Sequence, residues 1–217
     1  MSMEIELKLA VEPHQIPPLL AWLESEAGPP TIQSLRNIYL DTPSFSLHQQ
    51  RAALRLRQVS SNGGTHWVQT LKTAGQSVNG LSARHEWECA VSGAALEIEQ
   101  FPEPARAFLS QLDHAPIPLF CTNFMRRSWR IAATGGAVEV ALDEGEVNVL
   151  PDSGARTKIC ELELEWINDD SAAADLQISA RALQALASRL HALGPFTPSN
   201  MSKAERGYTL YLDQLRA

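Results

Sequence analysis

Glu4-Ile5-Glu6-Leu7-Lys8 is the stretch that decides the fold. Side chains of an extended segment alternate between two faces, so Ile5, Leu7 and Leu9 can enter an apolar core while Glu4, Glu6 and Lys8 share the other face. A single strand of this kind is ordinary at a solvated surface. Here the pattern recurs in Leu54-Arg55-Leu56-Arg57, in Arg84-His85-Glu86-Trp87-Glu88 and in Cys160-Glu161-Leu162-Glu163-Leu164-Glu165. The signs are too mixed for an interaction tail, and the recurrence is too regular for an ordinary surface.

Working outward from that stretch, eight strands are predicted, over 3–11, 33–41, 53–57, 66–73, 81–91, 124–133, 137–149 and 159–167. Turn-rich segments at Ser60 to Gly64 and Gly135-Gly136 separate two hairpins. Four helical segments fill the gaps. The first ends near Ala27, a second lies between Glu97 and Leu112 among Pro102, Pro104 and Pro116, and a third runs over 169–193 with a cap at Asp170 or Ser171. Ser202-Lys203-Ala204-Glu205 has the capping-box pattern and starts the last one. The proline-flanked helix is the one mid-chain break the sequence offers. The chain is nonetheless read as one domain, 1–217.

On the strands, one parity collects nine acids (Glu4, Glu6, Glu86, Glu88, Glu139, Asp143, Glu161, Glu163, Glu165) and seven bases (Lys8, Arg55, Arg57, Lys72, Arg84, Arg126, Arg130). An open sheet could show that face to water, and the charges would then only solubilise it. Eight antiparallel strands can also close around one small ligand. The expected fold is therefore α+β: an eight-stranded antiparallel closed β-barrel, charged in its bore, with helices packed outside. Burying so many ions costs several kcal/mol each (order of magnitude) unless partners offset it. Such an interior calls for a charged ligand and bound cations. Lys203 fits that reading, because a cation in the first turn of a helix costs roughly 0.3–1 kcal/mol and an anion there would be held by helix amides and ammonium together. The alternative is a solvated lysine.

Composition narrows the partners. A hydrophobic content of 44% against 20% charged belongs to a globular protein with a real core. The net charge of -7 argues against a nucleic-acid surface. No run approaches the roughly 18 apolar residues of a membrane span, and the charged motif at residue 4 leaves no room for a secretory signal, so a cytoplasmic protein is expected. Cys89, Cys121 and Cys160 lack metal-type spacing and are read as buried free thiols. The histidines form no zinc motif, and no phosphate-binding P-loop exists. Trp67, Trp87, Trp129 and Trp166 fall on the apolar parity and are read as core.

Glu4-x-Glu6-x-Lys8 near the N-terminus resembles the signature of the CYTH superfamily, the triphosphate tunnel metalloenzymes. Tyr39-Leu40-Asp41-Thr42-Pro43, Leu54-Arg55-Leu56-Arg57, Thr70-Leu71-Lys72, Arg84-x-Glu86-x-Glu88, Arg126, Ala141-Leu142-Asp143-x-Gly145-Glu146, Glu161-Leu162-Glu163-Leu164-Glu165 and Ser202-Lys203 resemble its further elements in the same order. The chain is most similar to the bacterial inorganic triphosphatases, in which a CYTH domain is often followed by a helical CHAD domain. This chain is then a stand-alone member or a fragment. The resemblance implies a tunnel, divalent-metal dependence and hydrolysis of a small-molecule triphosphate, tripolyphosphate first.

Within that implication Lys8, Arg55, Arg57, Lys72, Arg84, Arg126 and Lys203 grip the polyanion. Carboxylates repel phosphate and need a cation between, Mg²⁺ or Mn²⁺ for oxygen ligands. Glu4, Glu6, Glu161 and Glu163 lead as metal ligands, with Asp143 and Glu165 next. Glu4, Glu6, Lys8, Arg57 and Lys203 form the catalytic set. Glu86, Glu88 and Glu139 read equally well as structural partners of the bases. Thiamine triphosphatase, an adenylate cyclase on the same tunnel, and a polyphosphate- or nucleotide-binding module without turnover are the alternatives. A homodimer stays open.

Overall fold

The computed structural model describes residues 2–151, 153–167 and 176–216. Its strands and helices are β1 (Ser2–Ala10), α1 (Ile16–Ala27), β2 (Thr31–Asp41), α2 (Ser46–Gln49), β3 (Ala53–Ser61), β4 (Gly64–Lys72), β5 (Gln76–Val78), β6 (Leu81–Val91), α3 (Glu103–Leu109), β7 (Ile117–Ala133), β8 (Gly136–Val149), β9 (Arg156–Ile167), α4 (Leu176–Leu190), β10 (Thr197–Pro198) and α5 (Lys203–Arg216). The eight long strands run β1-β9-β8-β7-β2-β3-β4-β6 and close where β6 pairs with β1. All of these pairings are antiparallel. β5 and β10 are short additions at the rim.

Closure buries both parities of the opening stretch. Ile5, Leu7 and Leu9 face outward under helices, yet Glu4, Glu6 and Lys8 on the other face are no more than 8% exposed. An open sheet with a solvated charged face could not produce that. The outward parity of β1, β8 and β9 packs Val140, Leu142, Leu162 and Leu164 beneath Leu19 and Leu23 of α1 and Leu183, Leu186 and Leu190 of α4. Leu54, Leu56, Leu71 and Trp87 pack beneath Leu47 of α2, Phe101, and Ala105 and Leu109 of α3. Each fully covered side chain contributes about 1.5–3 kcal/mol.

A third cluster lies on the inward parity. Leu35, Tyr39, Val59, Phe120, Phe124, Val147 and Ile159 gather around Tyr208 of α5. α5 comes so close that a Cβ on Gly207 would stand 2.0 Å from the Phe120 ring. The Asp41 carboxylate fixes this approach. It accepts the N–H groups of Thr42, Leu47 and His48 at 2.7, 2.8 and 2.9 Å and the Tyr208 hydroxyl at 2.7 Å.

Several boundaries depart from expectation. β7 begins at Ile117 rather than at 124, because Pro118 sits where the β2 pairing shifts register between Tyr39 and Leu40, and a residue without an N–H is tolerated at such an irregularity. The expected 97–112 helix is a 3₁₀ turn, Ile98–Gln100, followed by α3, with Pro102 as the cap that separates them. Strands on both sides of it join one sheet. The cap expected at Asp170 or Ser171 lies outside the described residues. All three cysteines are free, but only Cys121 is buried; Cys89 and Cys160 are half-buried on outward positions. Trp87, Trp129 and Trp166 are in the core, and Trp67 packs against it half-buried.

Candidate active site

A cavity of about 470 Å³ runs inside the barrel, lined by Glu4, Glu6, Lys8, Arg55, Arg57, Lys72, Arg84, Glu86, Glu88, Arg126, Glu139, Glu163, Glu165 and Lys203 among others. The charged residues fall into three groups that strand register dictates. On β1, β4 and β6, Glu4 stands opposite Arg84 and Glu6 opposite Ser82, while Lys72 stands opposite Glu86. Lys72 Nζ donates to Glu4 at 2.5 Å, and Arg84 donates to Glu4 at 2.9 Å and to Glu6 at 2.7 Å. Burial alone raises the Glu4 pKa, but Lys72 and Arg84 outweigh it and hold the carboxyl well below its usual range.

The second group joins β7, β8, β9 and α5. Asp143 stands directly opposite Glu161, a repulsive pairing unless a cation intervenes. Lys203 intervenes: its Nζ lies 2.6 Å from Asp143, 2.5 Å from Glu161 and 2.9 Å from Glu163. Arg126 makes two 2.7 Å hydrogen bonds to Asp143 and a third at 2.5 Å to Glu163. Lys8 lies 3.3 Å from Glu163, and Arg206 donates to Glu161 at 3.0 Å. Burial works against the charges on Glu163, Lys203 and Lys8. Opposite charges win in each case, lowering the first pKa and raising the other two.

Lys203 reaches this position because the capping box forms. Glu205 N–H donates to Ser202 Oγ at 3.1 Å and Ser202 N–H to Glu205 at 2.7 Å. The cost of a cation at that helix end is offset by three carboxylates.

The third group is cationic. Arg55 approaches Glu86 and Glu88 only at 3.7 and 4.0 Å, and its Nε donates to Thr70 Oγ1 at 3.3 Å. Arg57 donates to Asn37 Oδ1 at 2.6 Å. Burial, then Arg55 and Arg126, depress the Arg57 pKa to about 10.

Eleven of the thirteen residues singled out from the sequence therefore line one bore, and the other two, Asp143 and Glu161, contact its Lys203, but they are not one cluster. The four residues placed first as metal ligands lie in two groups: Glu4 and Glu6 meet Lys72, Arg84 and Ser82, as Glu161 and Glu163 meet Lys203, Lys8, Arg126 and Arg206. Among the described residues, the group of three or more carboxylates with oxygens within 4.8 Å of one another is Asp143, Glu161 and Glu163. Glu165 stands opposite Glu6 and Glu139. Burial and then Glu4 push its pKa up to about 8. Asn37, Tyr39, Thr70 and Thr122 are buried and uncharged, and a tally of charges passes over them. The signal that finds Asn37 is its place two residues from Tyr39 on an inward parity.

Asp143, Glu161 and Glu163 fit a hard divalent cation, since all offer oxygen at the required spacing. A cation there would compete with the Lys203 ammonium for the same three carboxylates.

The CYTH domain model matches residues 2–208. The chain belongs to the CYTH family. Over 160 residues, 68% of its length, it is 32% identical to an inorganic triphosphatase of Haemophilus influenzae and spans 41% of that protein. Among solved structures, it is similar to a Hippeastrum protein described as an adenylyl cyclase with dominant triphosphatase activity (TM-score 0.68, 20% identity, 95% of each chain). It is also similar to a Bacillus halodurans protein described as an adenylate cyclase (TM-score 0.57, 21% identity, 95% of this chain and 98% of that one). These likenesses show the shared CYTH tunnel fold. No described helix is long and apolar enough to cross a membrane.

Proposed function

We propose that this CYTH protein hydrolyses inorganic tripolyphosphate to pyrophosphate and orthophosphate inside the barrel, with Mg²⁺ or Mn²⁺. One observation carries the reading: a single cavity is lined both by Arg57, a guanidinium without a carboxylate in contact, and by Glu163, whose carboxylate groups with those of Asp143 and Glu161 in a set fit for a divalent cation. A purely cation-binding interior would not hold Arg57 uncompensated. A purely polyanion-binding one would not bring three carboxylates together.

Arg57 and Arg55 grip the phosphate chain through forked N–H donors. Lys8 and Lys203 offer compact charge to the end of the chain nearest the acids. Asp143, Glu161 and Glu163 hold the metal, which when bound supplies Lewis acidity and neutralises phosphate charge. Arg126 keeps Asp143 and Glu163 in place. Glu165, its pKa raised by burial and by Glu4, donates an O–H to a phosphate oxygen in its protonated form rather than repelling it. Burial of most of these side chains in the barrel wall lowers the local dielectric and strengthens each of these contacts.

The test is phosphate release from tripolyphosphate, pyrophosphate, thiamine triphosphate and ATP with Mg²⁺, Mn²⁺ or chelator. Metal-dependent release greatest on tripolyphosphate is the expected result. Cyclic nucleotide from ATP would favour the cyclase reading that the Bacillus halodurans likeness brings. Binding without release on any substrate would overturn the enzymatic reading.

A further inference from the structure

Arg57 is held differently from the other cations of the bore. Lys8, Lys72, Arg84, Arg126 and Lys203 each have a carboxylate oxygen within 3.3 Å, and Arg55 has one at 3.7 Å. Among the described residues no carboxylate lies within 4.0 Å of Arg57. Its Nε donates to Asn37 Oδ1, and Asn37 Nδ2 donates in turn to Thr122 Oγ1 at 2.8 Å. Both partners are completely buried. Register produces the chain of contacts, because Asn37 on β2 stands opposite Arg57 on β3 and Thr122 on β7.

The chemistry of the amide matters. Aspartate has nearly the same shape, and its charge-assisted bond to a buried guanidinium would be the stronger one. An amide supplies the same acceptor without the charge; Arg57 has donors only and so takes the amide oxygen, and the Thr122 hydroxyl accepts from the Nδ2 left on the other side. Arg57 is thus fixed in direction with its charge unspent, and it lines the cavity.

We propose that Asn37 is a positioning residue: anchored through Nδ2 to Thr122, it aims Arg57 at a phosphate oxygen of the substrate while leaving the guanidinium without a carboxylate in contact. This rests on the polyphosphate reading of the bore. A carboxylate at position 37 would keep the aim and cancel the attraction.

Calorimetric titration of the full chain with tripolyphosphate, pyrophosphate and orthophosphate, in chelator to prevent turnover, tests it. Asn37→Asp is expected to keep or raise the melting temperature yet weaken tripolyphosphate binding about 10- to 100-fold, with a shallower dependence on salt. Asn37→Ala is expected to lower the melting temperature but to lose less affinity than Asn37→Asp. A merely structural role predicts the opposite order, with binding following stability. In an Arg57→Met background the Asn37→Asp effect should largely vanish. Wild-type binding with Asn37→Asp within twofold of it, or an Asn37→Asp loss undiminished without Arg57, overturns the proposal alone. A wild-type chain that binds none of the three anions overturns it together with the polyphosphate reading.

Discussion

The β8–β9 wall and the β2–β3 wall face the same cavity but handle charge in opposite ways. On the first, Asp143, Glu161 and Glu163 crowd together and Lys203, Arg126, Lys8 and Arg206 pair with them, so nearly every charge is spent internally. On the second, Arg57 is held by a neutral amide and its charge is kept in reserve. The difference teaches that a buried ion can be stabilised or made available, but not fully both. Pairing repays desolvation, and a cation left unpaired carries that cost until an anion arrives.

The comparison breaks first at the acid wall. Glu163→Gln removes a carboxylate from the shared set and should lower metal-dependent phosphate release about 100- to 1000-fold while the circular dichroism spectrum stays native. Release within a few-fold of wild type would remove Glu163 from the metal set.

Lys203→Gln addresses the same wall through stability. It leaves three carboxylates facing one another, so unfolding in urea with chelator should show a loss of about 3 kcal/mol. Added Mn²⁺ should restore more stability to this variant than to wild type, because no tethered ammonium competes for the oxygens. Equal responses to Mn²⁺ would place the cation elsewhere.

Arg57→Met sharpens the other wall. kcat/KM should fall about 10- to 100-fold, as for loss of a charge-assisted contact to phosphate. Stability at neutral pH should nevertheless fall by no more than about 1–3 kcal/mol, the cost of leaving the Asn37 oxygen without its donor. The folded state disfavours the Arg57 cation, with its pKa down at about 10. That cost is present at every pH below about 10 and fades as pH rises from there toward the unfolded value. Urea unfolding at several pH values reads the sign; an Arg57→Met loss at neutral pH well beyond that of the orphaned Asn37 oxygen would mean the guanidinium is paired.

The smallest effect is expected where α5 is fastened. Tyr208→Phe removes one of four donors to the buried Asp41 carboxylate and should cost about 1 kcal/mol in unfolding free energy. A loss much larger than this would show that the helix carrying Lys203 depends on that single hydroxyl.

Much of the barrel was legible because period-two alternation of apolar and charged residues is a local property, visible strand by strand. The capping box at Ser202 and Glu205 was legible for the same reason. The start of β7 was not, since Pro116 and Pro118 read as loop punctuation and only pairing with β2 makes that segment a strand. Glu4-x-Glu6 and Glu161-x-Glu163 look alike in one dimension. Register then sets Arg84 against Glu4 and Asp143 against Glu161, so one pair becomes an ion-pair lattice and the other a candidate metal cluster.

By itself the sequence determined that the strands carry one apolar and one charged parity, because alternation along a strand needs no knowledge of its neighbours; closure of β6 onto β1 turned the charged parity inward. Only the tertiary structure decided which carboxylates share a cation, that Lys203 stands among them, and that Arg57 meets an amide instead of an acid. Those are distances between strands, set by register and closure, and no stretch of one strand contains them.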